Sequence, residues 1–192
     1  MANSYFQFKQ FTIEQERSAM KVTTDSCLFG AWAAERIRNE NSIINNCLDI
    51  GTGTGLLALM LAQKNEFSID AVEIDKEAFE QASENITASH WANRLRVFYG
   101  DIRNPVATGF DFQRKYDMII SNPPFYEKEL KGDNSKKNIA HHNEGLLLPE
   151  LIELIKKNLN PGGSFYLLLP YKRNEEVRKI LKKEELGIQQ IT

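Results

Sequence analysis

Short apolar runs alternate along this chain with stretches in which apolar residues recur every three or four positions. The runs Cys47 to Ile50, Ser68 to Glu73, Leu95 to Tyr99, Tyr116 to Ser121 and Ser164 to Leu169 read as buried strands. The stretches between them read as helices. The first covers 25–38, with Asp25 as N-cap and Leu28, Trp32 and Ile37 facing inward. Others run from Gly55 to about Lys64, from Lys76 to about Ser89, and from Asn174 to Leu186. Pro149 opens one more helix, and Asn160-Pro161-Gly162-Gly163 ends it. Residues 5–11 alternate aromatic and polar side chains, as a short strand does, and residues 127–144 form a polar loop.

Strands alternating with helices at this spacing imply βαβ units: an α/β fold with a parallel sheet covered on both faces. Such sheets bind ligands beyond the carboxyl ends of their strands, near the point where strand order reverses. The turn at Gly51, Glu73, Asp101 and Asn122 all fall at or just past a predicted strand end, so they should share one rim.

Composition narrows the field only a little. The 192 residues make one domain, 42% hydrophobic and 26% charged. Net charge is −2, which does not advertise a nucleic-acid binder, although residues 126–192 are net basic and residues 1–125 net acidic. Cys27 and Cys47 suit neither a metal site nor a disulfide framework, so a reducing cytoplasm is expected. The N-terminus lacks the basic and apolar regions of a signal peptide, and no apolar run approaches the ~18 residues of a membrane span.

The chemistry lies at the strand ends. Ile119-Ile120-Ser121-Asn122-Pro123-Pro124-Phe125 is a strand that stops at Asn-Pro-Pro-aromatic. Two prolines cannot continue a central strand. They leave an amide side chain, carbonyls without competing N–H donors, and one flat ring. That set suits a planar amine, or it is a stiff loop with a buried Phe. Asp49-Ile50-Gly51-Thr52-Gly53-Thr54-Gly55 is Gly-x-Gly-x-Gly between strand and helix, with an acidic residue ahead. Its glycines let backbone N–H groups approach a ligand, a different spacing from the dinucleotide fingerprint. Glu73 ends the second strand, where a carboxylate can accept both ribose hydroxyls of a nucleoside, while Asp75 caps the next helix. Asp101 either accepts the amino group of an adenine or forms a turn.

Together the glycine turn, Glu73, Asp101 and Asn122-Pro123-Pro124-Phe125 resemble the class I S-adenosylmethionine-dependent methyltransferases. The Asn-Pro-Pro-aromatic form is typical of members that methylate planar amines. Upstream, Phe8-Lys9-Gln10-Phe11, Met20-Lys21-Val22-Thr23-Thr24-Asp25 and Leu28-Phe29-Gly30-Ala31-Trp32 are similar to the bacterial valine-tRNA adenine-N6 methyltransferases. Ser89-His90-Trp91-Ala92-Asn93-Arg94 resembles a further stretch of that family. The resemblance implies a Rossmann-like class I methyltransferase sheet, with residues 1–40 covering the site and 41–192 forming the core. It implies S-adenosyl-L-methionine held by Lys21, Thr24, Asp25, Asp49, Gly51, Gly53, Gly55, Glu73, Ile74, Asp101, Ile102 and Asn122, and no metal. Asn122, Pro123 and Phe125 would then act on an adenine amine in tRNA next to the anticodon. The implied protein is a cytoplasmic monomer or weak homodimer, without membrane association.

Two departures stand out. Ala140-His141-His142 replaces the Ala-Arg-His of many relatives, which removes an arginine. The fold normally continues with two more strands, and Ile188 to Thr192 reads as only the start of the first. An early end would leave strand 164–169 as an exposed edge. Candidate RNA contacts are Lys9, Lys21, Lys128, Lys131, Lys136, Lys137, Lys172 and Arg173, or these are simply solvated charges. Rival readings are a guanine-N2 rRNA methyltransferase, a release-factor glutamine methyltransferase, or an inactive cofactor-binding module.

Overall fold

The computed structural model describes residues 3–39, 43–104, 110, 114–123 and 146–192. They fall into two compact units, one within 1–122 and 158–168, the other within 123–157 and 169–192.

The first unit holds the sheet. Its strands are β3 (Asn46–Ile50), β4 (Ser68–Glu73), β5 (Leu95–Tyr99), β6 (Tyr116–Ser121) and β7 (Leu159–Leu167), following a small hairpin of β1 (Tyr5–Gln7) and β2 (Thr12–Glu14). The five strands run parallel in the order β5-β4-β3-β6-β7. Strand order therefore reverses between β3 and β6, where Asp49 pairs with Ile120. Helices α1 (Thr24–Asn39), α2 (Leu56–Ala62) and α3 (Lys76–Thr87) complete the unit.

One core joins the three helices to one sheet face. Phe29, Ala33, Ala34 and Ile37 of α1, all seven residues of α2, and Ile86 of α3 cluster with Cys47, Ile69, Leu95, Met118 and Ile120. Leu48, Val72 and Ile119 alternate onto the other face and are buried too, as strands of a parallel sheet are. That two-sided burial is why these strands read as mostly apolar runs rather than as a strict alternation.

Several sequence expectations need correction. Residues 5–11 are not one strand: the chain turns at Phe8 to Phe11 and returns as β2, with Phe6 opposite Ile13. Thr12-Ile13-Glu14 is too short to announce itself by pattern. Asp25 does not cap α1. Thr23 does, its Oγ1 accepting from Ser26 N at 3.2 Å while its own N–H donates to Ser26 Oγ at 3.0 Å. This is a reciprocal capping box that uses serine as the third helical residue. Leu28 is 65% exposed rather than inward, because the buried stripe runs through Phe29, Ala33 and Ile37. Strand β7 begins at Leu159, and its pairing with β6 is interrupted until Met118 meets Ser164. The Asn160-Pro161-Gly162-Gly163 turn thus bulges the start of a strand as well as ending a helix, with Gly162 at φ 81°.

In the second unit, α4 (Leu148–Asn158) buries Leu151, Ile152 and Ile155 completely, and it begins at Leu148, one residue before the Pro149 expected to open it. Helix α5 (Asn174–Lys183) ends three residues before the predicted limit, and residues 188–192 form no strand. The loop 127–144 lies outside the described residues.

Candidate cofactor site at the strand ends

The glycine turn departs from β3 and opens α2. Gly51, Gly53 and Gly55 have φ of 70°, 58° and 82°, so all three occupy left-handed backbone that other residues enter only with strain. Gly51 and Thr52 donate their N–H groups to the Val72 carbonyl, which ties the turn to β4. A Cβ placed on Gly51 or Gly53 would meet nothing within 4 Å, so the backbone there faces open space. Gly55 is the N-cap of α2, which has no side-chain cap hydrogen bond. Its first N–H groups carry the partial positive charge of a helix start.

Two carboxylates flank this turn. Asp49 is fully buried; its Oδ2 accepts the Thr52 hydroxyl at 2.6 Å, and its Oδ1 has no hydrogen-bond partner among the described residues. Burial pushes the Asp49 carboxyl up to about 7, the Thr52 hydroxyl pulls it back, and the nearby Glu73 charge adds to the rise. Glu73 ends β4 nearly buried, with Oε2 accepting Gly53 N at 2.7 Å and Oε1 accepting Asp75 N at 2.9 Å. Burial raises its carboxyl from the ordinary range, against the lowering by those N–H groups. Each oxygen keeps a lone pair for a further donor. The alternative role for Glu73 falls to Asp75, whose Oδ1 accepts Ala78 N at 2.8 Å as the N-cap of α3.

Asp101 follows β5. Arg103 grips it with a two-pronged guanidinium contact, 2.7–2.9 Å, and its N–H also donates to Asp101 Oδ1. That guanidinium holds the Asp101 carboxyl below its usual range. Asp101 is thus a turn former whose carboxylate is engaged by Arg103. Beside these acids, Ile74 is 44% exposed while Ile102 is buried, so the rim presents one apolar face.

Asn122 continues directly from β6 at the reversal point, half-buried, and Pro123 is buried. Ser121 anchors this end: its hydroxyl donates to the Ile50 carbonyl at 2.7 Å, joining the tip of β6 to the tip of β3. Pattern reading passed over Ser121 and Thr52 because short hydroxyl residues beside conspicuous Asn and Gly carry no periodic signal. Phe125 lies outside the described residues. Lys21, Thr24 and Asp25 lie on the segment that enters α1. The Lys21 ammonium donates to the carbonyls of Gln15 and Glu16, which spends it on the local fold.

The chain matches the model of the Methyltransferase small domain family over residues 34–190, most of its length. The chain belongs to that family. Its similarity to curated methyltransferases is close. It is 44% identical over 188 residues to a protein of Parabacteroides distasonis named tRNA1(Val) (adenine(37)-N6)-methyltransferase, covering 97% of this chain and 75% of that one. A protein of the same name from Dyadobacter fermentans is 46% identical, with coverage of 88% and 66%. The chain thus spans two thirds to three quarters of the length of these relatives. Among solved structures, the ribosomal protein L11 methylase of Lactobacillus delbrueckii subsp. bulgaricus superposes with a TM-score of 0.66 at 16% identity, covering 93% of this chain and 76% of that one. That likeness is one of fold alone, the Rossmann-like α/β sheet.

Proposed function

We propose that this chain transfers a methyl group from S-adenosyl-L-methionine to the N6 amine of an adenine in tRNA, next to the anticodon. The reading is carried by one observation: a glycine turn open to solvent sits beside Asn122 at the reversal of strand order, flanked by Glu73. The names of the relatives support the choice of tRNA adenine. The family match runs across both units, which supports one methyltransferase domain. A tRNA substrate supports a cytoplasmic setting.

The residues present fit such a cofactor. Open backbone at Gly51 and Gly53 leaves room for its amino-acid end, with the buried Asp49 carboxyl behind the turn. Lys21, Thr24 and Asp25 would border that end from the α1 side. Glu73 would accept the ribose hydroxyls, Asp101 the adenine amino group, and Ile74 and Ile102 would lie against the base. When bound, the cofactor supplies an electrophilic methyl carbon; its bond to sulfur breaks with the electron pair as the amine lone pair forms the N–C bond, and the nitrogen then sheds a proton.

The chain's own contribution is to position the amine. An adenine amine is a weak nucleophile, since its lone pair is delocalised into the ring. Asn122 Oδ1 and the Pro123 carbonyl would accept its two hydrogens, orienting it and favouring a pyramidal nitrogen. Phe125 would stack on the base, at roughly 1–3 kcal/mol by analogy with other base–aromatic contacts. The target base must leave its stack to reach the rim.

Paired substitutions separate the two halves of this reading. Asn122→Ala should abolish methyl transfer with cofactor affinity nearly intact, whereas Glu73→Ala should weaken cofactor binding measured by calorimetry. Normal turnover in the first, or unchanged affinity in the second, removes the corresponding role.

A further inference from the structure

Asn85 lies on α3, 4% exposed, on the apolar side of a helix whose other buried residues include Ala78, Ala82 and Ile86. Its amide makes three hydrogen bonds, one through the oxygen and two through the nitrogen. Oδ1 accepts the Glu14 N–H at 2.9 Å. Nδ2 donates to the Glu14 carbonyl at 2.8 Å and to the Thr54 carbonyl at 2.9 Å. One side chain therefore pairs with β2 as a neighbouring strand would, and at the same time holds the glycine turn between Gly53 and Gly55. Carboxamides alone offer one acceptor and two donors in a plane. A carboxylate would face two carbonyls, and an aliphatic group would leave three buried backbone groups unmatched.

The strand that Asn85 grips leads directly into the segment carrying Lys21. Gln15, buried, accepts the Val22 N–H at 2.8 Å and donates to the Asn3 carbonyl at 2.9 Å, closing the hairpin and the following loop into one piece. Gln81, one turn before Asn85, accepts the Arg17 N–H at 3.4 Å. The N-terminal piece thus docks on α3 through buried amides.

We infer that Asn85 is a positioning residue that couples the N-terminal hairpin to the cofactor turn, so that a cofactor fixing the turn also fixes the hairpin. The inference rests on the cofactor reading given above. Hydrogen exchange with and without S-adenosylmethionine tests it. In the unaltered protein, saturating cofactor should slow exchange both at residues 51–55 and at residues 5–14. In Asn85→Ala, saturating cofactor should still protect the turn but no longer the hairpin. Asn85→Asp keeps the volume and the Glu14 acceptor while losing both donors. Calorimetry should show its cofactor affinity falling on the order of tenfold. Hairpin protection that is absent in the unaltered protein, or that persists in Asn85→Ala, overturns the coupling and leaves the cofactor site standing. Loss of protection at the turn in the unaltered protein overturns the cofactor site and the coupling together.

Discussion

At the scale of single residues, the sharpest consequence concerns Asp49. It is fully buried, one oxygen has no partner among the described residues, and its carboxyl is pushed up to about 7. A carboxyl raised above its unfolded value of about 3.9 binds its proton more tightly in the native state. The stabilising contribution of that proton is whole below about pH 4 and is lost as pH climbs through about 7. Asp49→Asn removes the penalty that remains at alkaline pH. Thermal unfolding without cofactor should show the variant gaining more stability at pH 8 than at pH 5. An equal shift at both values would mean that Asp49 does not carry a native-state proton. Residue roles were only partly legible beforehand. Glu73, Asp75 and the glycines stand in the sequence beside strand ends and could be placed by pattern. Asn85 could not, since its partners Glu14 and Thr54 are 71 and 31 residues away.

At the scale of elements, the legible parts are those buried on both faces. Strands β4 and β6 begin and end where their runs do, because apolar residues fill both faces and Asp70 and Asp117 are the only charged interruptions before their last residues; β5 keeps its bounds although Arg96 and Tyr99 are exposed. Exposed or half-exposed elements were read less well. The β1–β2 hairpin shows its outer residues to solvent, and α1 buries a narrow stripe through Phe29, Ala33 and Ile37, one residue away from the expected Leu28 and Trp32. Its cap illustrates the point. Asp25 looks like the cap by type and position, but Thr23 closes the reciprocal bonds with Ser26. Thr23→Ala should therefore destabilise the protein by ~1 kcal/mol in urea unfolding, with a smaller effect for Asp25→Ala. The reverse order would return the cap to Asp25. The Asn-Pro-Pro-Phe element is divided: Asn122 and Pro123 are placed by β6, and Phe125 lies outside the described residues.

At the scale of the whole molecule, family membership and the five-stranded parallel sheet agree with the fold read from alternating strands and helices. Charge argues for restraint about RNA. The net charge is −2; Arg173 is paired with Glu176 at 2.9 Å, and the Lys21 ammonium is bound to local carbonyls. Affinity for tRNA should be modest, and the slope of log affinity against log salt shallow. A filter-binding series over a range of salt checks this, and a steep slope would point to a larger basic surface.

The most direct measurement is mass spectrometry of nucleosides in tRNA from cells with and without this protein. N6-methyladenosine in tRNA should disappear without the protein and should not be restored by the Asn122→Ala variant. Unchanged N6-methyladenosine on loss of the protein, or full restoration by that variant, would contradict the proposed methyl transfer.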